Sequence, residues 1–336
     1  MANNSNKTVF WWNIILKLIF AFVLLFFLYR HLFQNNDLTQ SWNHFILNFQ
    51  EGTHGLLWFC ILLMPINWAI ESKKWHLLVW PFEKIHFLTA FKAILGGISV
   101  ALLTPNRIGE YGGRMVVVEA RNNWKAVIST LVSSFAQNIW NIGLGLIAAI
   151  MFLNISSAME SYLFLSGVSV SLIFFTLIIL LYFNIDLIHR VLKKFDRFTL
   201  VAKSLVHLQL LKQYRSSTLA QVLLLAFIRY VVYLIQYFLI LKFFGLDVDV
   251  VNGIIGIATI FLVQTSLPLP PIIGFLARGE IALLVWSTYE LNEISVLAAS
   301  YFLWFLNLIL PALVGAVVIL SSNLSRTFGL NRNYFK

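Results

Sequence analysis

The segment Ser99-Val-Ala-Leu-Leu-Thr-Pro-Asn-Arg-Ile-Gly-Glu-Tyr-Gly-Gly-Arg114 places proline, glycine and charged residues within an otherwise apolar part of the chain. A related segment, Ser266-Leu-Pro-Leu-Pro-Pro-Ile-Ile-Gly-Phe-Leu-Ala-Arg-Gly-Glu280, occurs late in the chain. When Pro105 is aligned with Pro270, Gly109 falls on Gly274. Two apolar segments interrupted by proline and glycine at corresponding places in two halves are the best indication that a sequence offers of a membrane transport site.

The composition around these segments indicates an integral membrane protein. Of the 336 residues, 60% are hydrophobic and 11% are charged, whereas about 25% of the residues of a soluble domain are charged. Several runs approach the roughly 20 apolar residues that a helix needs to cross the hydrocarbon. The net charge of +10 does not indicate nucleic acid binding, because the basic residues lie between the apolar runs. The predicted full spans are Trp11–Leu32, Leu56–Ile70, Ala126–Leu153, Tyr162–Phe183, Leu219–Leu241 and Ile294–Leu320.

The charges of the loops predict how the two interrupted segments, Phe87–Glu119 and Val250–Tyr289, lie in the membrane. If each segment crossed once, the basic loop Asn184–Thr218 would lie outside, which the positive-inside rule rejects. Re-entrance and a double crossing both place every basic stretch on the cytoplasmic side. Length favours re-entrance, because Met115–Val118 is too short to span alone. The sequence therefore predicts an all-α polytopic membrane protein with six full spans, two re-entrant helical hairpins and both termini in the cytoplasm.

This order divides the chain into two halves of opposite orientation. Residues 1–155 would form the first membrane repeat, with the hairpin at 87–119, and residues 156–336 the second, with the hairpin at 250–289. Each half reads span, span, hairpin, span, which is an inverted-topology repeat. We expect a multi-pass protein of the cytoplasmic membrane.

Six strong charges are not assigned to loops, and an ionised group at mid-bilayer costs on the order of 3 kcal/mol. They are Arg107, Glu110, Arg114, Arg229, Arg278 and Glu280. Glu110 can reach both Arg107 and Arg114 on one helical face. Because Arg278 and Glu280 are two residues apart, they point differently, and we predict the pairs Arg107–Glu280 and Glu110–Arg278 across the hairpins. The alternative is that the charges only lock the hairpins together.

The helix breakers suit an anion-binding site. The prolines stop the inbound half-helices, the glycines allow close approach of the backbone, and the N-termini of the outbound half-helices attract anions. The predicted substrate-binding residues are Thr104, Arg107, Gly109, Glu110, Arg114, Gly274, Arg278 and Glu280. Candidates for lining a path, at helical spacing, are Arg229, Tyr233, Gln236, Gln137, Asn138 and Asn141. For this second set, ordinary hydrogen bonding between helices is the alternative.

Enzyme chemistry finds no support in the sequence. It contains no His-Glu-x-x-His, no Gly-x-Ser-x-Gly and no phosphate-binding glycine-rich loop that ends in Lys-Ser/Thr. We predict no catalytic residues, no metal site and no cofactor.

The runs Leu103-Thr-Pro-Asn-Arg-Ile-Gly-Glu-Tyr-Gly-Gly-Arg114 and Pro268-Leu-Pro-Pro-Ile-Ile-Gly-Phe-Leu-Ala-Arg-Gly-Glu-Ile-Ala282 resemble the lysylphosphatidylglycerol synthase transmembrane-region family, also called flippase-like proteins. In that family the first motif commonly reads Thr-Pro-x-Arg-x-Gly-Glu, and the second reads Pro-x-x-x-Gly with a following Arg-Glu. The second motif often has Gly-Gly-x-Gly where this chain has Ile-Ile-Gly-Phe, so its turn is bulkier. The family includes the lipid-flipping half of bifunctional aminoacyl-phosphatidylglycerol enzymes, so the resemblance implies lipid flipping. The chain leaves no room for their soluble aminoacyl-transfer domain, so we expect no synthase activity.

The leading hypothesis is a translocator that moves a phospholipid headgroup, anionic or aminoacylated, through a polar cavity between the two hairpin tips. One alternative is a translocator of polyprenyl-phosphate or of a lipid-linked sugar. Others are a membrane enzyme and a non-transporting partner of a lipid-modifying enzyme. The expected partners are membrane lipids, and both a homodimer and an association with a lipid-modifying enzyme remain open.

Overall fold

The computed structural model describes residues 38–51, 54–104, 108–194, 205, 208–267, 269 and 271–320, and their regular structure is helical. The first predicted span, Trp11–Leu32, lies outside the described residues. The helices are α1 (Leu38–Glu51), α2 (His54–Val79), α3 (Phe87–Leu103), α4 (Gly109–Met115), α5 (Asn123–Ser157), α6 (Ser161–Phe183), α7 (Asp186–Lys193), α8 (Ser216–Phe243), α9 (Val250–Ser266), α10 (Pro271–Trp286), α11 (Glu293–Trp304) and α12 (Leu310–Leu320).

Within the described residues, five helical segments are long and apolar enough to cross a membrane, in agreement with five of the six predicted spans. They are α2, α5 with the short 3-10 turn before it, α6, α8, and the continuous unit of α11 and α12. A π-helical turn, Phe305–Ile309, joins α11 to α12. The expectation of an all-helical, multi-pass membrane protein is therefore confirmed for the described part of the chain.

Two boundaries differ from the prediction. The second span is predicted to end at Ile70, but α2 continues to Val79, because Glu71 and Lys74 beyond Ile70 are buried and form an ion pair with each other. The segment Leu38–Glu51 was treated as a loop, but it forms α1. One face of α1 packs on the protein: the Phe45 ring stacks on Phe244 at 5.6 Å, while Trp42 remains exposed.

The interrupted segments each contain two helices. In the first, the 17-residue α3 is followed by the seven-residue α4, which is about 10 Å long at 1.5 Å per residue and cannot cross a bilayer alone. In the second, α9 and α10 have 17 and 16 residues. Asp249 caps α9, accepting hydrogen bonds from the backbone N–H groups of Asn252 and Val251, and these bonds hold the pKa of its carboxyl below its usual value.

The helices of the two halves pack on each other reciprocally. Helices α2 and α8 lie side by side, α5 packs along α9, and α12 packs along α3. Small residues allow the close approaches: Gly145 of α5 lies against Leu262 of α9, and Gly315 of α12 lies against Leu95 of α3. Each interrupted segment is thus held by a long helix from the other half of the chain.

Candidate functional site

The buried carboxylate of Glu71 on α2 lies among three cations. Its Oε2 atom is 2.9 Å from Nζ of Lys74 and 3.4 Å from Nη1 of Arg229 on α8. Its Oε1 atom is 3.1 Å from Nη2 of Arg114 on α4, and Ser133 of α5 donates a 3.4 Å hydrogen bond to the same oxygen. Four helices therefore meet at this carboxylate.

Glu110 supplies the second carboxylate of the cluster. It pairs with Nη2 of Arg114 across one helical turn, which is the i, i+4 contact predicted from the sequence. Its side chain is 16% exposed, whereas that of Arg114 is 1% exposed. Glu110 is therefore the more accessible end of the cluster, and Glu71, at 5% exposed, is the inner end.

Aromatic rings and an amide hold the guanidinium of Arg229. Its central carbon lies 5.1 Å from the centre of the Trp68 ring and 5.2 Å from that of Tyr233, within the range of cation–π attraction. Gln137 of α5 accepts hydrogen bonds at 3.4 Å from both Arg229 and Lys74. Arg229 is the fourteenth of the 28 residues of α8, so this charge lies halfway along a helix of spanning length.

Four members of this cluster, Glu71, Glu110, Arg114 and Arg229, line a cavity of about 440 Å³. Arg278 of α10 lines the same cavity, and its Nη1 donates a 2.8 Å hydrogen bond to Gln264 of α9. In the described part of the wall, three guanidinium groups face two carboxylates. The wall comprises Trp68, Glu71, Glu110, Arg114, Ser134, Gln137, Asn138, Asn141, Arg229, Tyr230, Tyr233, Phe261, Gln264, Thr265, Leu267, Leu269, Gly274, Ala277, Arg278, Ile281, Leu303, Trp304, Asn307 and Leu308.

The wall combines amide and hydroxyl groups with aromatic rings. Helices α5 and α9 contribute amide and hydroxyl groups, and the amide of Asn141 donates a 3.0 Å hydrogen bond to Thr265. Asn307, in the π-helical turn, accepts a 2.9 Å hydrogen bond from Asn67 of α2. A π-helical turn inside an α-helix often occurs at a functional site. A small ligand with one charged end and one apolar end fits such a wall.

The structure brings most of the predicted residues to this one cavity. From the predicted binding set, Glu110, Arg114, Gly274 and Arg278 line it. From the predicted path, the cavity is lined by Gln137, Asn138, Asn141, Arg229 and Tyr233. Both interrupted segments therefore contribute charged groups to a common space.

Four predicted residues lie elsewhere. Thr104 donates to the Val100 carbonyl and accepts from the N–H of Gly109 at 2.7 Å, so both belong to the connection between α3 and α4. Gln236 faces α2, where its amide donates to the carbonyl of Cys60 at 2.9 Å. For Gln236 the alternative interpretation of the path-lining candidates therefore applies: it makes an ordinary hydrogen bond between two helices.

The fourth, Glu280, was predicted to bind the substrate, but it is buried at 6% exposure and is not among the residues that line the cavity. Arg107 lies outside the described residues, so the predicted pair Arg107–Glu280 remains a prediction. For the predicted pair Glu110–Arg278, the structure places both groups on one cavity wall, with Glu110 in a salt bridge to Arg114 and Arg278 hydrogen-bonded to Gln264.

Sequence reasoning missed Glu71 and Lys74, which were assigned to a cytoplasmic loop. Both are buried in α2. The sequence does indicate that the helix continues past Ile70. Asn67, Glu71, Lys74 and Leu78 are spaced by four, three and four residues, which places them on one helical face. Lys73, Lys84 and Lys92 are exposed, so the end of α2, the start of α3 and the connection between them carry basic side chains.

Taken together, the helices and the charged cavity define a polytopic α-helical membrane protein with a polar cavity among its spans, whose described wall carries three guanidinium groups and two carboxylates. A family model described as the lysylphosphatidylglycerol synthase TM region matches residues 14–315. The chain therefore belongs to this family, as the two sequence motifs indicated, and membership indicates a membrane protein that handles lipids. No curated protein and no solved structure matches the chain.

Proposed function

We propose that this protein translocates an anionic phospholipid headgroup across the cytoplasmic membrane while the acyl chains stay in the bilayer. The observation that carries the proposal is the excess of guanidinium groups over carboxylates in the described wall of a cavity among spanning helices. Arg114, Arg229 and Arg278 would bind the phosphate, since arginine binds phosphate through paired hydrogen bonds. The headgroup is moved without being chemically changed, so the proposal requires no catalytic residue and no cofactor.

The electrostatics favour a binding site over a purely structural lock. Charged groups at membrane depth are costly and usually mark the path of a substrate or ion. A lock requires only matched pairs, whereas the described wall of the cavity carries three guanidinium groups and two carboxylates, and Lys74 lies behind this wall. An anion that enters the cavity would bring the charges closer to balance.

The size and the wall of the cavity also support the proposal. Its volume of about 440 Å³ lies within the roughly 300–1,000 Å³ of typical small-molecule sites. The amides and hydroxyls of α5 and α9 would bind the polar substituents of a headgroup, and Trp68, Tyr230 and Trp304 would contact its glycerol and the first methylene groups.

The reciprocal packing of the helices supports an inverted repeat as the transport scaffold. Helix α5 of the first half holds α9 of the second, and α12 of the second half holds α3 of the first. In our proposal, α3–α4 and α9–α10 are re-entrant hairpins that enter from opposite faces, with both termini in the cytoplasm. Rocking of one half against the other would then expose the cavity to each leaflet in turn.

The test uses full-length protein in liposomes that contain fluorescent phosphatidylglycerol, with quenching of the outer leaflet as the readout. Because hydrogen bonds to charged groups contribute roughly 1.5–3 kcal/mol, we expect Arg278→Ala to slow translocation by about tenfold or more. The control is Arg121→Ala, which removes an 80% exposed arginine and should leave the rate unchanged. Competition by unlabelled phosphatidylglycerol or by polyprenyl-phosphate separates the two lipid classes.

Equal rates for the Arg278→Ala variant and the wild-type protein, at equal reconstituted amounts, would contradict the proposal. Stronger competition by polyprenyl-phosphate than by phosphatidylglycerol would reassign the substrate class while retaining the anion site.

A further inference from the structure

The arrangement of cations around Glu71 is asymmetric. Lys74 is on the same helix, one turn away, and its side chain is 0% exposed. Arg114 and Arg229 reach the same carboxylate from α4 and α8. Lys74 thus shares a helix with Glu71, whereas Arg114 and Arg229 belong to other helices and line the cavity.

The two arginines retain hydrogen-bonding capacity. Arg114 uses Nη2 for both of its carboxylate partners. Within the described part of the chain, no acceptor lies within hydrogen-bonding distance of its buried Nε and Nη1 atoms, nor of the buried Nε of Arg229. Unpartnered buried donors are uncommon and costly. The two arginines that carry them line the cavity, so reorientation of their side chains would present these donors to a bound anion.

We propose that Glu71 and Lys74 act as a resident counter-ion pair that the substrate anion displaces. When the cavity is empty, Glu71 binds both arginines and links α2, α4 and α8. When a phosphate binds Arg114 and Arg229, Glu71 leaves them and stays with Lys74 as a neutral pair. This inference rests on the proposed function and adds a mechanism by which substrate binding releases the first interrupted segment from α2.

The exchange balances charge without any proton transfer. The groups that face Glu71 are Lys74 from its own helix, Arg114 with Glu110 from α4, Ser133 and Gln137 from α5, and Arg229 from α8. A bound monoanion neutralises the charge of one of the two arginines, and Glu110 neutralises the charge of the other. The charge of Glu71 is neutralised by Lys74. Without Lys74, the displaced carboxylate would be buried alone, which is strongly unfavourable.

The experiment that tests the exchange uses the double variant Glu71→Gln/Lys74→Gln in the full-length chain. It removes the competing carboxylate together with its own partner, so the net charge of the site does not change. Binding of dihexanoyl phosphatidylglycerol to the detergent-purified protein is measured by calorimetry. Since close charge pairs are strongly coupled, we expect the Kd to fall at least about fivefold. We expect the translocation rate in liposomes to fall as well, because Glu71 no longer links α2 to α4 and α8 when the cavity is empty.

The comparison variants separate the exchange from general electrostatics. Lys74→Gln alone should raise the Kd, because Arg114 and Arg229 are then the cations that remain paired with Glu71. Glu71→Asp keeps every charge but shortens the reach to Arg114 and Arg229, and it should lower the Kd. The matched control Asp186→Asn/Arg190→Gln removes an exposed ion pair from α7 and should change neither quantity.

An unchanged or higher Kd for both the double variant and Glu71→Asp overturns the exchange while leaving the proposed function intact. If the wild-type chain itself does not bind the probe, and Arg278→Ala also leaves translocation unchanged, the proposed function fails and the exchange fails with it.

Discussion

Replacing Glu71 by leucine is expected to lower the stability of the folded protein by about 3–5 kcal/mol, the usual cost of removing one partner from a buried ion pair. The substitution leaves Lys74, Arg114 and Arg229 close together with one carboxylate, that of Glu110, for all three. Their mutual repulsion is weakly screened because these side chains are largely buried. The measurement is thermal or denaturant unfolding of the purified protein in a single detergent.

The control for this prediction is Glu119→Leu. Glu119 pairs with Arg121 on the surface, where both side chains are more than half exposed, and exposed pairs contribute roughly 0–1 kcal/mol. The double variant Glu71→Leu/Lys74→Leu should recover part of the loss, since it removes one of the uncompensated cations. Equal melting temperatures for Glu71→Leu and the wild-type chain would show that the cluster is not assembled as described.

Replacing Gly113 by alanine is expected to destabilise the first interrupted segment and to abolish most translocation. A Cβ atom at Gly113 would lie 2.5 Å from Cα of Gly97 and 2.7 Å from the carbonyl oxygen of Gly96 on α3. These are backbone atoms that no side-chain rotation can move, so α4 must shift away from α3. Overpacking of this kind costs about 1–3 kcal/mol. Because α4 carries Glu110 and Arg114, the shift also displaces the charged wall of the cavity.

The neighbouring glycine provides a matched control for this prediction. A Cβ atom at Gly112 would have no other atom within 4 Å, and alanine is favoured over glycine in a helix by about 1 kcal/mol. Gly112→Ala should therefore keep or slightly raise the melting temperature and retain translocation. If Gly112→Ala and Gly113→Ala lose activity equally, the close contact between α3 and α4 does not explain the effect.

Much of the fold could be predicted because apolar length is a strong signal in membrane proteins. The spans at α5, α6 and α8 were predicted to within a few residues, since lipid requires a long apolar helix whatever its neighbours are. The contact between Glu110 and Arg114 followed from helical geometry alone. The assignment of both interrupted segments to one site followed from their shared pattern of proline, glycine and charge.

The inner half of the site could not be predicted by the same reasoning. A hydropathy scale penalises each charged residue separately and takes no account of pairing. The predicted second span therefore ends before Glu71 and Lys74 and leaves both residues in the following loop. Within the protein they compensate each other and two arginines, and α2 continues through them to Val79. Helical periodicity, applied beyond Ile70, would have placed Glu71 on the face of Asn67.

The roles of individual polar residues also depended on tertiary packing. Gln137 and Gln236 both have helical spacing relative to other polar side chains, and the sequence did not distinguish them. The structure places Gln137 on the cavity wall and turns Gln236 towards Cys60 of α2. Which face of a helix meets a cavity is decided by its neighbours, and this information is not local in the sequence.

The central claim is that the cationic cavity binds the phosphate of a lipid. An experimental structure of the full-length chain in nanodiscs containing phosphatidylglycerol tests it most directly. We expect density for a headgroup inside the cavity, with its phosphate within hydrogen-bonding distance of at least two of Arg114, Arg229 and Arg278. Lipid density confined to the outer surface, with the cavity filled by the protein's own side chains, would contradict the claim.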